Sequence, residues 1–211
     1  MNIEEYKEQY KKDQAVGALS IEKRLKQVYG NLEPRFYSPQ VMSFQGGEEP
    51  IDGVAVFDVN GYHHLVSYGM SHLYYSEESA GAEFSKWGFE FSFRVKPVKE
   101  DEGEDPFWVI QLMNNLGRFV NETKVWFEEY QFLPLGGPIR ADSDTDIVGI
   151  AFVKDDDLDE IDTPHGKVIF LQMVGLNSEQ LKRLEDNSTK EEIMTVLNEI
   201  KSVNPKFVTE L

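Results

Sequence analysis

The sequence predicts an α+β fold, and three observations carry that prediction. Phe89, Phe91, Phe93 and Val95 alternate with Glu90, Ser92, Arg94 and Lys96, which is the period of two expected of a strand. Val109, Leu112, Met113, Leu116, Phe119 and Val120 recur at helical spacing and make one apolar stripe. Strand-like and helix-like stretches do not alternate regularly, which argues against a doubly wound parallel sheet. The chain has 211 residues, 40% hydrophobic and 12% aromatic, enough for one compact domain with a real core.

Taken in order, residues 2–14 are charged with few apolar anchors and read as a loosely packed helix. Ser20 reads as the N-cap of a helix with Ile21, Leu25 and Val28 on one face and Gly30 as its stop. Pro34, Pro39, Gly46, Gly47 and Pro50 make residues 31–52 irregular. Residues 53–59 and 62–68 are β-branched and aromatic runs around Asn60-Gly61, a strong hairpin signal. Residues 76–88, rich in Ser, Glu and Gly, read as a loop before the period-two strand. The Glu90 side of that strand is expected to face water, so Phe91→Asp should collapse the domain while Glu90→Lys should be mild.

An acidic loop, 97–104, leads to Asp105 as cap and Pro106 as first residue of a central helix. Asn114, Asn115, Arg118 and Asn121 point away from its apolar stripe. Gly136-Gly137-Pro138 is a turn, residues 147–153 are an apolar strand, and Asp155-Asp156-Asp157 ends it. Thr163-Pro164-His165-Gly166 is a second turn, and 167–174 is the last strong strand. Ser178 is expected to cap a short helix over 179–184. Thr189 and Glu192 have capping-box spacing before a closing helix with Ile193, Val196, Leu197 and Ile200.

Charge narrows the classes of function. Lys and Arg total 21 against 38 Asp and Glu, a net charge of -17. Phosphate backbones and anionic membranes repel such a surface, whereas a basic protein partner is attracted to it. The absence of cysteine removes disulfides, thiol nucleophiles, thiolate zinc sites and iron–sulfur clusters. Residues 1–20 hold Glu4, Glu5, Glu8 and Asp13 without an apolar run, so no signal peptide is expected. No apolar stretch approaches the ~20 residues that span a bilayer. The expected location is the cytoplasm, which makes the sequons at Asn121 and Asn187 chance matches.

No pattern meets the requirements of a catalytic or cofactor site. His63 and His64 are adjacent on a predicted strand and point to opposite faces, which spoils a shared metal site with His72. Asp142, Asp144 and Asp146 open like a calcium loop, but Ile147 and Val153 stand where Gly and Glu are needed. Ser71 has Leu73 where a nucleophile elbow requires Gly. Gly136-Gly137 lacks the Lys-Ser or Lys-Thr of a phosphate loop. The expectation is therefore a non-enzymatic chain with no cofactor and no metal.

Three stretches in order give a family resemblance. They are His63-His64-Leu65-Val66-Ser67-Tyr68-Gly69-Met70-Ser71 with Leu73-Tyr74, then residues 87–95, Trp-Gly-Phe-Glu-Phe-Ser-Phe-Arg-Val, and then residues 161–175 around Thr163-Pro164-His165-Gly166. Together they resemble the Suppressor of fused domain family over roughly residues 30–200. That leaves 1–29 as an N-terminal helical segment and 201–211 as a C-terminal tail. The resemblance implies a central mixed, largely antiparallel β-sheet flanked by helices. Animal members are negative regulators in Hedgehog signalling that hold a peptide of a Gli-type transcription factor as an added strand. This chain resembles the stand-alone bacterial members, thought to be immunity proteins against polymorphic toxins. Leu65 departs from the tyrosine that animal members carry near this place, and Ser76, Glu77 and Glu78 roughly occupy their acidic stretch.

The resemblance and the charge agree on a binder of a protein partner, with a basic toxin domain as the first candidate and a regulated cytoplasmic protein as the alternative. An acidic plug suits a basic cleft. The candidate contacts are Tyr62, Leu65 and Tyr68, the loop acids Glu77, Glu78 and Glu83, the run from 100 to 105, and Asp155, Asp156 and Asp157 within the run to Glu160.

Overall fold

The computed structural model describes residues 1–101, 103–141 and 143–211. Glu102 of the acidic 100–105 run and Asp142 of the calcium-like triplet lie outside the described residues.

The chain opens with α1 (Ile3–Gln9), whose cap Asn2 accepts from the Glu4 and Glu5 amides and completes a capping box with Glu5. This helix is not loosely packed. Tyr6 is fully buried, donates its hydroxyl to His165 Nε2 at 2.7 Å, and accepts the Ser76 amide at 3.0 Å. His165 in turn donates Nδ1–H to the His72 carbonyl at 3.0 Å, which fixes the tautomer that leaves Nε2 as the acceptor. A helix with one buried anchor is thereby tied to two distant turns. Helix α2 (Val16–Tyr29), with Ala15 at its N-cap, begins five residues earlier than a cap at Ser20 implies. Ser20 sits inside it and bonds back to the Val16 carbonyl at 2.9 Å. Gly30 does stop it, at a φ of 63°.

Among the described residues, eight strands form one mixed sheet. They are β1 (Arg35–Tyr37), β2 (Gly53–Val59), β3 (Tyr62–Tyr68), β4 (Phe84–Val95), β5 (Phe132–Pro134), β6 (Ile147–Lys154), β7 (Glu160–Thr163) and β8 (Gly166–Asn177). The order is β1-β2-β3-β4-β8-β6-β5, with β7 lying beside the first half of β8. Only β4 and β8 run parallel; every other pair is antiparallel. The β2–β3 hairpin turns at Asn60 and Gly61, whose φ values of 46° and 88° are those a two-residue turn demands. Strand β1 falls inside the stretch expected to be irregular, since three residues after a proline carry too little pattern to be read.

Helices cover both faces of the sheet. Helix α3 (Phe107–Thr123) packs Val109, Met113, Leu116 and Val120 on Leu65, Phe91, Phe93, Phe152 and Leu171. Pro106 stands at its N-cap, and Asp105 bonds to other residues instead of capping it. On the opposite face, α2 packs Ile21 and Leu25 on Phe57, Val66 and Phe170. Beside it, α4 (Ser178–Asp186) and α5 (Lys190–Val203) pack Leu184, Ile193 and Val196 on Ala151, Val174 and Leu176. Asn177, not Ser178, caps α4, while Thr189 caps α5 as its spacing suggested. The consequence for β4 is a correction. Its Phe91 face lies under α3 as expected, but its Glu90, Ser92 and Arg94 face is buried too, between α2 and the α4–α5 pair.

Of residues 201–211, expected as a tail beyond the domain, 201–203 finish the α5 helix and the rest return to the sheet. Thr209 exchanges backbone hydrogen bonds with Arg94 and Lys96, and Phe207 is buried in the α4–α5 cluster. The Lys206 carbonyl accepts from Arg94 Nη1 at 3.2 Å and from Gln172 Nε2 at 2.9 Å. Deleting residues 205–211 therefore strips acceptors from Arg94 and Gln172 as well as apolar cover. Loss of the Phe207 side chain alone should cost about 3–5 kcal/mol. At this chain length the melting temperature should fall by about 10 °C or more. A truncated chain that melts within a degree of the full one in differential scanning calorimetry contradicts this account.

Candidate partner-binding surface

The interior between α2 and the α4–α5 pair holds polar chemistry that sequence reading assigned to solvent. Glu90 is 0% exposed. Its carboxylate accepts the hydroxyls of Ser67 and Ser71, each at 2.6 Å, and the amides of Gly69 at 2.9 Å, Met70 at 3.3 Å and Ser71 at 3.0 Å. Burial pushes this carboxyl up from its ordinary range, and the hydroxyl and amide donors pull it part of the way back. It closes the turn that follows β3, which explains why that turn can be buried.

One turn of the strand further, Arg94 and Asp155 pair at 2.7 Å with both side chains buried. Asp155 also accepts the Ser92 hydroxyl at 2.7 Å and the amides of Asp157 and Leu158 at 2.9 and 3.0 Å. Burial by itself raises the Asp155 carboxyl, but His64, Arg94 and Ser92 together hold it far below the usual carboxylate range. His64 lies with Nε2 at 3.2 Å from Asp155 and its Nδ1 on the Tyr29 hydroxyl. Burial pushes this imidazole below its ordinary value, against the pull of Asp155. A Tyr–His–Asp chain resembles a proton relay in composition. Here His64, Arg94 and Asp155 are fully buried on the sheet face that carries α2, α4 and α5, so a substrate reaches them only if the domain opens.

The residues singled out in the sequence fall into different places. Leu65 is fully buried under α3, and Asp155 is in the buried pair, so neither side chain is available to a partner. Leu65 lies on the inner face of a covered strand, and Asp155 turns inward to meet Arg94. Tyr68 is also buried, edge-on to Phe36 with ring centroids 5.3 Å apart. Tyr62 is half-buried at the start of β3. The 155–157 run is divided: Asp156 faces out and pairs with Lys201 at 2.6 Å, while Asp157 bridges Arg94 at 3.0 Å and Lys206 at 2.5 Å. Glu77 pairs with Lys7 at 3.2 Å, which lowers its carboxyl and fastens the loop to α1. Glu78 and Glu83 are exposed.

Glu83, Glu160 and Asp162 line a groove of about 820 Å³ between α2, β7 and the residues that flank α1, Met1 and Tyr10. All four residues of β7 line this groove, and among the described residues the strand pairs on one side only, with β8. Strands β1 and β5 are the other edges, and each is three residues long. Such short edges limit unwanted pairing.

The side chains of Asp58, His63 and Asp105 converge closely enough to hold a metal ion. The cation there is Arg35, which donates to both carboxylates at 2.5–2.8 Å while His63 Nδ1 sits 2.7 Å from Asp58. Hydrogen bonds from Arg35 are the main reason Asp58 is held down to about 2. The cluster pins β1 to the sheet. Sequence reading missed it because Arg35 lies in the stretch that looked irregular. It also missed an aromatic groove formed by β4, the 124–130 segment and α5, whose residues share no period.

A family model described as Suppressor of fused protein (SUFU) matches residues 47–211. The human Suppressor of fused homolog is 30% identical over 148 residues, covering 64% of this chain. The aligned part is 30% of the human protein's length. A chain of the Sufu-Fu complex crystal structure superposes with a TM-score of 0.82 at 23% identity, covering 94% of this chain and 91% of that one. A SUFU homolog structure from Neisseria gonorrhoeae gives a TM-score of 0.63 at 13% identity, covering 92% and 93%. These structural likenesses establish the shared α+β fold.

Proposed function

Because this chain belongs to the Suppressor of fused family, we propose that it is a non-catalytic, protein-binding domain that inhibits the partner it holds. The observation that carries this reading is the family match over residues 47–211. Two physical features support it. The convergent ionisable groups that could do chemistry are committed to holding the sheet, either sealed inside or neutralised by Arg35. A net charge of -17 on a chain with exposed Glu78 and Glu83 favours a basic partner. The favoured partner is a toxin domain with a basic cleft, bound in the cytoplasm of a bacterial cell, which would make this chain an immunity protein. Glu77, Glu78, Glu83, Asp156 and Tyr62 are the contacts carried into this proposal.

The open edge of β7 favours a second mode, in which a regulated partner adds a strand beside residues 160–163. Both modes predict a protein partner, and growth separates them. Capture from a host lysate should retain a protein, and under the immunity reading that protein should be toxic alone and harmless when co-expressed with this chain. A captured partner without toxicity points to the regulator. Turnover of a small metabolite by purified material would overturn both.

Glu78→Lys with Glu83→Lys should slow association with the captured partner by about tenfold near physiological salt. The difference should fade at high salt as screening shortens to a few ångströms. Equal on-rates in stopped-flow measurements would remove the acidic loop from the contact.

A further inference from the structure

The aromatic groove is separate from the acidic loop and from the β7 edge. It has a volume of about 550 Å³. It is lined by Phe84, Trp87 and Phe89 of β4, Trp126 and Phe127 after α3, and Lys190 of α5. Phe84 is 49% and Trp126 51% exposed, which is unusual for side chains of this size brought together on one surface. Local backbone conformation supports a built feature. Strand β4 breaks register between Phe84 and Phe89, and Lys86, Gly88 and Tyr130 take positive φ values of 55°, 80° and 63°. Bulges and left-handed non-glycine residues cluster where a chain re-aims side chains for contact.

The charge around this groove differs from the rest of the molecule. Lys124 Nζ lies 5.7 Å from the Trp87 ring centroid, and Lys190 Nζ lies 5.0 Å from that of Tyr130. Among the described residues neither lysine is ion-paired, whereas Lys154, Lys167 and Lys201 are tied to Asp159, Glu160 and Asp156. Two carboxylates, Glu128 and Glu129, also line the groove and keep their charge, since the donors they meet are neutral. Glu129 accepts the Lys154 amide at 3.0 Å, and Glu128 accepts the Trp126 indole at 3.3 Å. At physiological ionic strength the screening length is about 8 Å, so the local balance is set by Lys86, Lys124 and Lys190 against Glu128 and Glu129, a positive excess on a chain of net charge -17.

We propose that this groove seats a segment of a partner protein in which an aromatic or aliphatic side chain is flanked by aspartate or glutamate. The anchor fills the space between Phe84 and Trp126, and its acidic neighbours meet Lys124 and Lys190. A second copy of the chain is disfavoured, because it would bring another net charge of -17 to the same face. The inference rests on the proposal that the chain binds proteins, and it adds a contact of different chemistry from the acidic loop.

The test is selection of a random dodecapeptide phage library on the purified full-length chain, with Trp126→Ala and Lys190→Glu as comparators. Trp126 is half-exposed, and Lys190 opens α5, where a carboxylate complements the helix N-terminus, so both variants should keep the wild-type circular dichroism and melting temperature. Phe84→Ala serves as a second groove variant should either misfold. The expected result is enrichment of peptides that combine aromatic or aliphatic anchors with Asp or Glu. Their binding should weaken about tenfold or more with Trp126→Ala and become less salt-sensitive with Lys190→Glu. Enrichment of basic peptides, equal binding by wild type and Trp126→Ala, or no enrichment at all would overturn the inference. The selection uses no native partner, so it can fail while lysate capture succeeds, and the reverse.

Discussion

Glu90→Lys should abolish folding. The side chain is fully buried and surrounded by donors: two serine hydroxyls and the three amides of Gly69, Met70 and Ser71. A lysine there would face those donors with a positive charge and no acceptor. Lys86 already places its ammonium 2.5 Å from the Gly69 carbonyl on the same turn. Breaking a buried charge arrangement costs about 3–5 kcal/mol, and reversing the charge costs more. Stabilities of domains lie at about 5–15 kcal/mol, so the variant should be expressed without cooperative unfolding. Glu90→Gln keeps the shape but turns one accepting oxygen into an NH2 donor that faces the Ser67 hydroxyl and the Met70 amide, so it should cost about 1–3 kcal/mol. Urea unfolding followed by circular dichroism separates the three chains. A Glu90→Lys protein with the wild-type midpoint would mean that this face of β4 is wet after all. Phe91→Asp should fail equally, because the strand has no tolerant side.

Asp155→Ala is the second large effect. It leaves Arg94 buried with Gln172, the Lys206 carbonyl and the partly exposed Asp157 as its remaining partners. Removing one member of a buried pair costs about 3–5 kcal/mol, which at this size lowers the melting temperature by roughly 6–20 °C. The pH dependence carries a distinct sign. The Asp155 carboxyl is held below its unfolded value, so the folded chain binds fewer protons than the unfolded one at mildly acidic pH. The stability it contributes is complete above the unfolded carboxylate pKa of about 4 and is lost as pH falls toward the lower folded value. Asp58, held to about 2 by Arg35, adds a term of the same sign from a more exposed position. Wild type should therefore lose stability more steeply than Asp155→Ala below about pH 4. Parallel acid-unfolding curves for the two chains would show that Asp155 is not ionised in the folded state.

Much of the architecture was legible because it is written in local chemistry. Asn60-Gly61 sets the β2–β3 hairpin through backbone conformations that few other pairs adopt. Gly30 stops α2, and Thr189 caps α5, for similarly local reasons. The stripe from Val109 to Val120 found the sheet face it was made for, although Phe119 remains largely exposed. What escaped depended on neighbours far along the chain. Strict alternation over 89–96 fixed which side chains share a face of β4. It could not say whether α2, α4 and α5 would cover the polar one. The same limit applies to Leu65 and the 155–157 run: composition marked them as candidates, and burial withdrew Leu65 and Asp155.

By itself, the sequence determined the α+β class, the order of the main elements, the alternation of β4 and the negative charge of the surface, since each follows from neighbouring residues or from a sum over all of them. The tertiary structure alone decided that Glu90, Arg94 and Asp155 are interior, that residues 204–211 complete the sheet, and that Phe84, Trp87 and Trp126 meet at one groove. Those outcomes depend on which surfaces are removed from water when distant segments pack. The free energy of a charged or aromatic side chain is set by that removal, not by the residues beside it in the chain.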